Sequence, residues 1–131
     1  MASDEQAWTI GLMSGTSIDG IDAALLRTDG ETVSEIGDSL QLPYAADFRA
    51  RLRAVLGLDH RTSVISALER EITLLHGQAV TALLAKAGLE AKDISLIGFH
   101  GQTIFHAPER AFTWQLGDGG LLARETGIDV V

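Results

Sequence analysis

Between Ser14 and Asp22 the chain reads Ser-Gly-Thr-Ser-Ile-Asp-Gly-Ile-Asp. Hydroxyls, glycines and carboxylates set this close together can do phosphate chemistry. Glycine lets backbone N–H groups approach a phosphate, and the hydroxyls of Ser14, Thr16 and Ser17 can donate to its oxygens. Asp19 and Asp22 lie just past the turn, near enough to manage a metal ion. The lysine and spacing of a P-loop are absent, and no helix follows the glycines as a dinucleotide fingerprint requires. The same residue types also build ordinary hairpin turns. By residue type alone, the structural turn stays ahead of the phosphate site.

Two further clusters carry polar chemistry. His100-Gly101-Gln102-Thr103 follows an apolar run and is expected to leave a buried strand at its C-terminal end. Ligand crevices of open α/β sheets form there, and three hydrogen-bonding side chains around one glycine suit a small polar ligand such as a sugar. His106 lies six residues beyond His100, but no Cys or further His stands at a supporting metal spacing. A structural hydrogen bond is the favoured role for His106. Gln115-Leu116-Gly117-Asp118-Gly119-Gly120 is the third polar turn; Asp118 either touches ligand or, more commonly, caps the helix that follows.

The elements that must position these residues show in the hydrophobic periodicity. Trp8, Ile10 and Leu12 alternate as a strand, and Ile21, Ala23 and Leu25 as a second. Asp29-Gly30 signals a two-residue hairpin, and Val33 to Leu42 reads as a third strand whose parity breaks near Gly37, predicting a bulge. Helical spacing then takes over. Phe48, Leu52, Val55 and Leu56 mark one helix, stopped at Gly57; Val64, Leu68, Ile72, Leu75, Ala79 and Leu83 mark a longer one from about Thr62 to Ala87, ended by Gly88. Ile94 to Phe99 is a short buried strand, Thr113 to Leu116 another, Leu121 to Glu125 one or two helical turns, and Ile128 to Val131 the start of a strand. The fold class is α/β: a mixed sheet with three antiparallel strands, then alternating helices and strands.

Composition narrows the function classes. A chain of 131 residues is one domain in size, and 46% apolar with 21% charged residues is globular rather than disordered. The formal charge of −8 argues against nucleic acid; Arg49, Arg51 and Arg53 read as a solvated helix face. An acidic protein can still bind ATP through local N–H groups and Mg²⁺. Cysteine is absent, so disulfide and thiolate chemistry are excluded. The acidic start Met-Ala-Ser-Asp-Glu-Gln is unlike a signal peptide, and no apolar run approaches the roughly 20 residues of a membrane helix. The expected location is cytoplasmic.

The order of elements resembles the ribonuclease-H-like half of the sugar kinase, actin and Hsp70 ATPase fold. The string Gly11 to Asp22 resembles the opening motif of anhydro-N-acetylmuramic acid kinases. Gly98 to Pro108 resembles that family's second motif and Thr113 to Asp118 its third. Three motifs in register overturn the turn-only reading. The resemblance implies an enzyme of bacterial cell-wall recycling. With ATP and water it opens the 1,6-anhydro ring of anhydro-N-acetylmuramic acid and phosphorylates O6, giving N-acetylmuramic acid 6-phosphate. It further implies that Gly15, Thr16, Ser17, Ile18, Asp19, Gly20, Ile21 and Asp22 bind ATP, with Asp19 and Asp22 near Mg²⁺. Ser14, His100, Gly101, Gln102, Thr103 and Asp118 are expected around the sugar. Met13 stands where related kinases of the wider fold carry an acidic residue.

The family pattern continues past Val131 with the catalytic base and a second lobe. The expectation is therefore a truncated first lobe of an actin-like ATPase fold, residues 1–131 being an incomplete ATP-phosphate-binding lobe, inactive alone and homodimeric when full-length. Two alternatives are a non-catalytic nucleotide-binding or interaction module, and another sugar or acetate kinase; the co-occurrence of the first two motifs disfavours the latter.

Overall fold

The computed structural model describes residues 6–15 and 17–131. Strands β1 (Ala7–Ser14), β2 (Gly20–Thr28) and β3 (Val33–Pro43) form an antiparallel meander, as their alternation predicts. Helices α1 (Ala46–Ala54) and α2 (Ser63–Ala87) follow. Then come β4 (Ile94–Ala107), β5 (Phe112–Leu116) and helix α3 (Gly119–Thr126). The sheet order is β3-β2-β1-β4-β5, with β4 parallel to β1 and β5 antiparallel to β4. This is the α/β mixed sheet expected from the sequence.

One face of the sheet carries the core. Ile10 and Leu12 of β1, Ile21, Ala23 and Leu25 of β2, and Ile94 and Ile97 of β4 are buried in one cluster with Ile65, Leu68, Ile72, Ala79 and Leu83 of α2. The helix runs from a Thr62 cap, whose Oγ1 accepts the Ile65 N–H at 3.1 Å, to Gly88 at φ 71°. Its inward stripe starts at Ile65; Val64, expected on that face, is 59% exposed. The phase of the helix decides this, because Ile65, Leu68, Ile72, His76, Ala79 and Leu83 keep steps of three and four on one side. Met13, of opposite parity on β1, is exposed.

Two other local expectations change, and one holds. Between β2 and β3 the chain makes a four-residue connection, Asp29 to Thr32, rather than a two-residue turn. The Asp29 carboxylate accepts the N–H groups of Glu31 and Thr32, both at 2.9 Å, and that competes with the tight turn. The bulge at Gly37 is present: Leu25 faces both Gly37 and Asp38, between the pairs Ala24–Ser39 and Leu26–Ile36.

The largest change concerns β4. It continues through His100 to Thr103 as strand instead of leaving the sheet at Phe99. The reason is a change of neighbour. Backbone groups of Ile97 and Phe99 bond Asp129 and Val131 in a parallel bridge, whereas Gln102 to Ala107 pair with β5. Both halves of the long strand thus find partners. Where the sequence predicts the start of a strand, Ile128 to Val131, the structure has an isolated parallel bridge from Val130 to Ile97.

Candidate functional site

The register of β4 with β1 on one side and β5 on the other places three motifs together. Ser14 at the end of β1 stands opposite Gln102 of β4, which stands opposite Leu116 of β5. The Gly15–Asp19 turn, the His100–Gln102 segment and the Gly117–Asp118 turn therefore share one end of the sheet.

The first turn is closed by the Ile18 N–H on the Gly15 carbonyl at 3.1 Å. Ile18 is buried yet has φ 58°, a left-handed conformation that a β-branched residue rarely adopts. Burial of its side chain holds this strain, which costs on the order of 1–3 kcal/mol. Gly15 has open space where a Cβ would stand, and Ser17 is exposed. Thr16 lies outside the described residues. Gly20 is different: a Cβ there would meet the Leu42 carbonyl oxygen at 2.4 Å, so this glycine serves the β2–β3 approach. Ile21 is a core residue.

The two carboxylates separate. Asp19 sits in the turn, its side chain 61% exposed and its carboxylate 3.8 Å from the Arg49 guanidinium of α1. Asp22 is exposed on β2, on the face opposite the core and beside Met13 and Gln41. Among the described residues no three His, Asp or Glu side chains converge to hold a metal by themselves. Asp19, an exposed carboxylate in the turn, is the kind of single protein ligand that Mg²⁺ takes beside phosphates and water.

Ser14 and Gln102 are buried, and their side chains join the first two motifs. Tyr44 O–H stands 2.7 Å from Ser14 Oγ, and Ser14 Oγ donates to Gln102 Oε1. The Gln102 amide nitrogen in turn donates to the Thr103 carbonyl at 3.1 Å. Burial pushes the Tyr44 phenol up to about 12, so it remains a neutral donor. Sequence reading does not single out Tyr44; only its position against Ser14 shows that it joins this buried network.

His100 and Gln115 line a cavity of about 260 Å³ together with Phe99, Gly101, Leu116 and Gly117. The Gln115 amide donates to His100 Nε2 at 2.9 Å, leaving Nδ1–H toward the Gly101 carbonyl at 3.3 Å. Gly101 has φ 77°, and a Cβ there would lie 2.4 Å from the Leu116 carbonyl oxygen. A Cβ on Gly117 would strike the Phe99 ring at 2.6 Å. These two glycines let the strand ends close the cavity wall. His106 is not part of it: its ring bonds Thr113 Oγ1 at 2.6 Å across the hairpin.

Comparison with known proteins decides the family. A family model for anhydro-N-acetylmuramic acid kinase matches residues 7–131. The chain belongs to the anhydro-N-acetylmuramic acid kinase family. It is 50% identical to the anhydro-N-acetylmuramic acid kinase of Rhizobium etli over 93% of this chain and 35% of that protein. It is 50% identical to that of Paramagnetospirillum magneticum, over 93% of this chain and 34% of the relative. To the Rhodospirillum rubrum protein of the same name it is 47% identical over 98% of this chain and 34% of the relative. The chain thus spans about a third of the length of these relatives.

In this member of the family Asp118 caps α3: its Oδ1 accepts the Leu121 N–H at 3.0 Å, and the residue stays exposed. The basic face of α1 is also only partly solvated. Arg51 makes a two-pronged contact with Glu71 of α2 at 2.7 and 2.9 Å, whereas Arg49 is half-buried toward Asp19 with its Nε unpartnered among the described residues. No helix among the described residues is long and apolar enough to cross a membrane.

Proposed function

We propose that this chain is the N-terminal lobe of a cytoplasmic, ATP-dependent kinase of anhydro-N-acetylmuramic acid. In the full-length protein water opens the 1,6-anhydro ring and the γ-phosphoryl group of ATP passes to O6, giving N-acetylmuramic acid 6-phosphate. The single observation that carries this reading is the convergence of all three family motifs at one sheet end, locked by the Ser14–Gln102 bond between residues 88 apart in sequence. Such convergence is what phosphoryl transfer requires, because its catalysis rests on positioning and charge neutralisation.

Residues divide by place. Gly15, Ser17 and Ile18 hold the ATP phosphates through a turn whose open glycine admits an anion close to backbone, and the family motif assigns Thr16 to the same phosphates. Gly20 and Ile21 support that turn from β2. Asp19 and Asp22 are the carboxylates for Mg²⁺, which supplies charge neutralisation on the phosphates. His100, Gly101, Gln102, Thr103 and Asp118 surround the sugar, with Ser14 fixing Gln102. The base for the attacking water belongs to sequence beyond Val131, as does the lobe that closes the site; homodimerisation belongs to the full-length enzyme as well.

The test is to mix the full-length protein with Mg-ATP and anhydro-N-acetylmuramic acid in ¹⁸O-water and analyse the sugar by mass spectrometry. A 6-phosphate carrying one ¹⁸O is the expected product; ADP release without sugar phosphate sinks the reading. Asp19→Asn should lower kcat at least tenfold, and an unchanged kcat removes Asp19 from the mechanism. The 131-residue chain alone should show no turnover. Micromolar Mg-ATP affinity of that chain by calorimetry, without turnover in the full-length protein, favours a nucleotide-binding module instead.

A further inference from the structure

The third motif is held by two side chains of α2 that lie in none of the motifs. The Gly117 N–H donates to Glu69 Oε2 at 3.1 Å, and the Asp118 N–H donates to Thr73 Oγ1 at 3.0 Å. Successive amides of one turn are thus gripped by side chains one helical turn apart. Thr73 is fully buried and its own hydroxyl donates to the Glu69 carbonyl at 2.7 Å, so its lone pair is aimed at Asp118. Glu69 is only 18% exposed, and its other oxygen accepts from Arg61 at 3.0 Å. The Arg61 guanidinium lies over the Trp114 ring, 5.5 Å from its centroid, so the same network reaches the start of the motif.

Both bonds cross from the interior of α2 to the backbone of a turn more than 40 residues away. Helix α3 already has its cap from Asp118, so the two acceptors fix something else: the height of the Gly117–Asp118 backbone beside the cavity. Gly117 cannot sink toward the sheet because the Phe99 ring fills that space. It cannot lift without breaking the bonds to Glu69 and Thr73.

We propose that Glu69 and Thr73 are positioning residues for sugar binding, acting through the Gly117–Asp118 turn; this rests on the sugar-kinase reading above. Neither side chain touches substrate. Their loss lets the wall formed by Gln115 to Asp118 drift, while the phosphate turn at the end of β1 stays in place.

The experiment measures steady-state KM for anhydro-N-acetylmuramic acid and for Mg-ATP in the full-length enzyme carrying Thr73→Val, Thr73→Ser or Glu69→Gln. Thr73→Val keeps the shape and removes the acceptor. It should raise the sugar KM about tenfold with the ATP KM within twofold, and speed hydrogen exchange of the Asp118 amide at least tenfold. Thr73→Ser restores the hydroxyl and should return the sugar KM to within threefold of wild type. A role limited to stability moves both KM values together or neither, and either result overturns the inference. Should Thr73→Val fail to fold, Glu69→Gln decides: a sugar KM raised threefold or more at constant ATP KM supports the inference, and an unchanged sugar KM overturns it. A wild-type enzyme that phosphorylates no sugar overturns the functional reading itself. An active wild type with an unmoved Thr73→Val overturns only the positioning role.

Discussion

The turn after β1 and the turn after β5 lie at the same end of one sheet, but they are built in opposite ways. The first is local. Gly15 and Ile18 close it between them, one buried side chain holds the left-handed strain, and the glycine faces open space. The second is assembled from afar: β4 supplies Gly101 and Phe99 beneath it, and α2 supplies Glu69 and Thr73 behind it. A phosphate is recognised by backbone N–H groups that a short turn can present alone. A sugar pocket needs walls, and walls need support from elements distant in sequence.

Breaking the second region should therefore damage the fold, and breaking the first should damage only the site. The largest effect is expected from Gly101→Ala, which adds a Cβ 2.4 Å from backbone at a left-handed φ. A loss of about 3–5 kcal/mol in urea-denaturation stability is expected; a loss below about 1 kcal/mol would show that the strand ends can part.

Acid should probe the same region next. His76 of α2 is buried edge-on against Phe99 at 4.9 Å between centroids, with Nδ1 bonded to the Ile72 carbonyl at 2.7 Å and Nε2 unpartnered among the described residues. Burial lowers its pKa to about 4. The folded state thus holds the neutral ring while the unfolded chain takes up a proton. Its share of stability is fully present above pH 6.5 and is lost as pH falls toward 4, roughly 3 kcal/mol in all. Denaturation midpoints from pH 7 to 4 should show that slope, and His76→Gln should flatten it. An equal slope in the variant would place the acid sensitivity elsewhere.

The smallest effect on the fold is expected from Gly15→Ala. With nothing within 4 Å of the added methyl, stability should change by less than about 0.5 kcal/mol. In the full-length enzyme the ATP KM should nevertheless rise severalfold, because the methyl occupies the space we propose for phosphate. A Gly15→Ala enzyme with normal ATP KM would remove the contrast between the two turns.

Much of this was legible in the residues. Alternation at Trp8, Ile10 and Leu12 and at Ile21, Ala23 and Leu25 marked the first hairpin, because burial on one face imposes a period of two. Thr62 and Gly88 marked the bounds of α2 through cap chemistry. Two local signals misled. Asp29-Gly30 looked like a two-residue turn, yet the aspartate accepts the amides of Glu31 and Thr32. Gly101 looked like an exit from the sheet, yet it is where one strand passes from one set of partners to another. A single glycine at positive φ serves either purpose, and only the neighbouring strands distinguish them.

The sequence by itself determined the element types, the mixed-sheet class and the three motifs, since propensity, capping and hydrophobic period act over a few neighbouring residues. Tertiary structure alone decided that Tyr44 bonds Ser14, that Ser14 ties to Gln102, and that Glu69 and Thr73 grip the Gly117–Asp118 turn. These contacts join residues 30 to 88 positions apart. No periodicity spans such distances; they exist because strand pairing and helix packing bring unsatisfied donors and acceptors into one buried place.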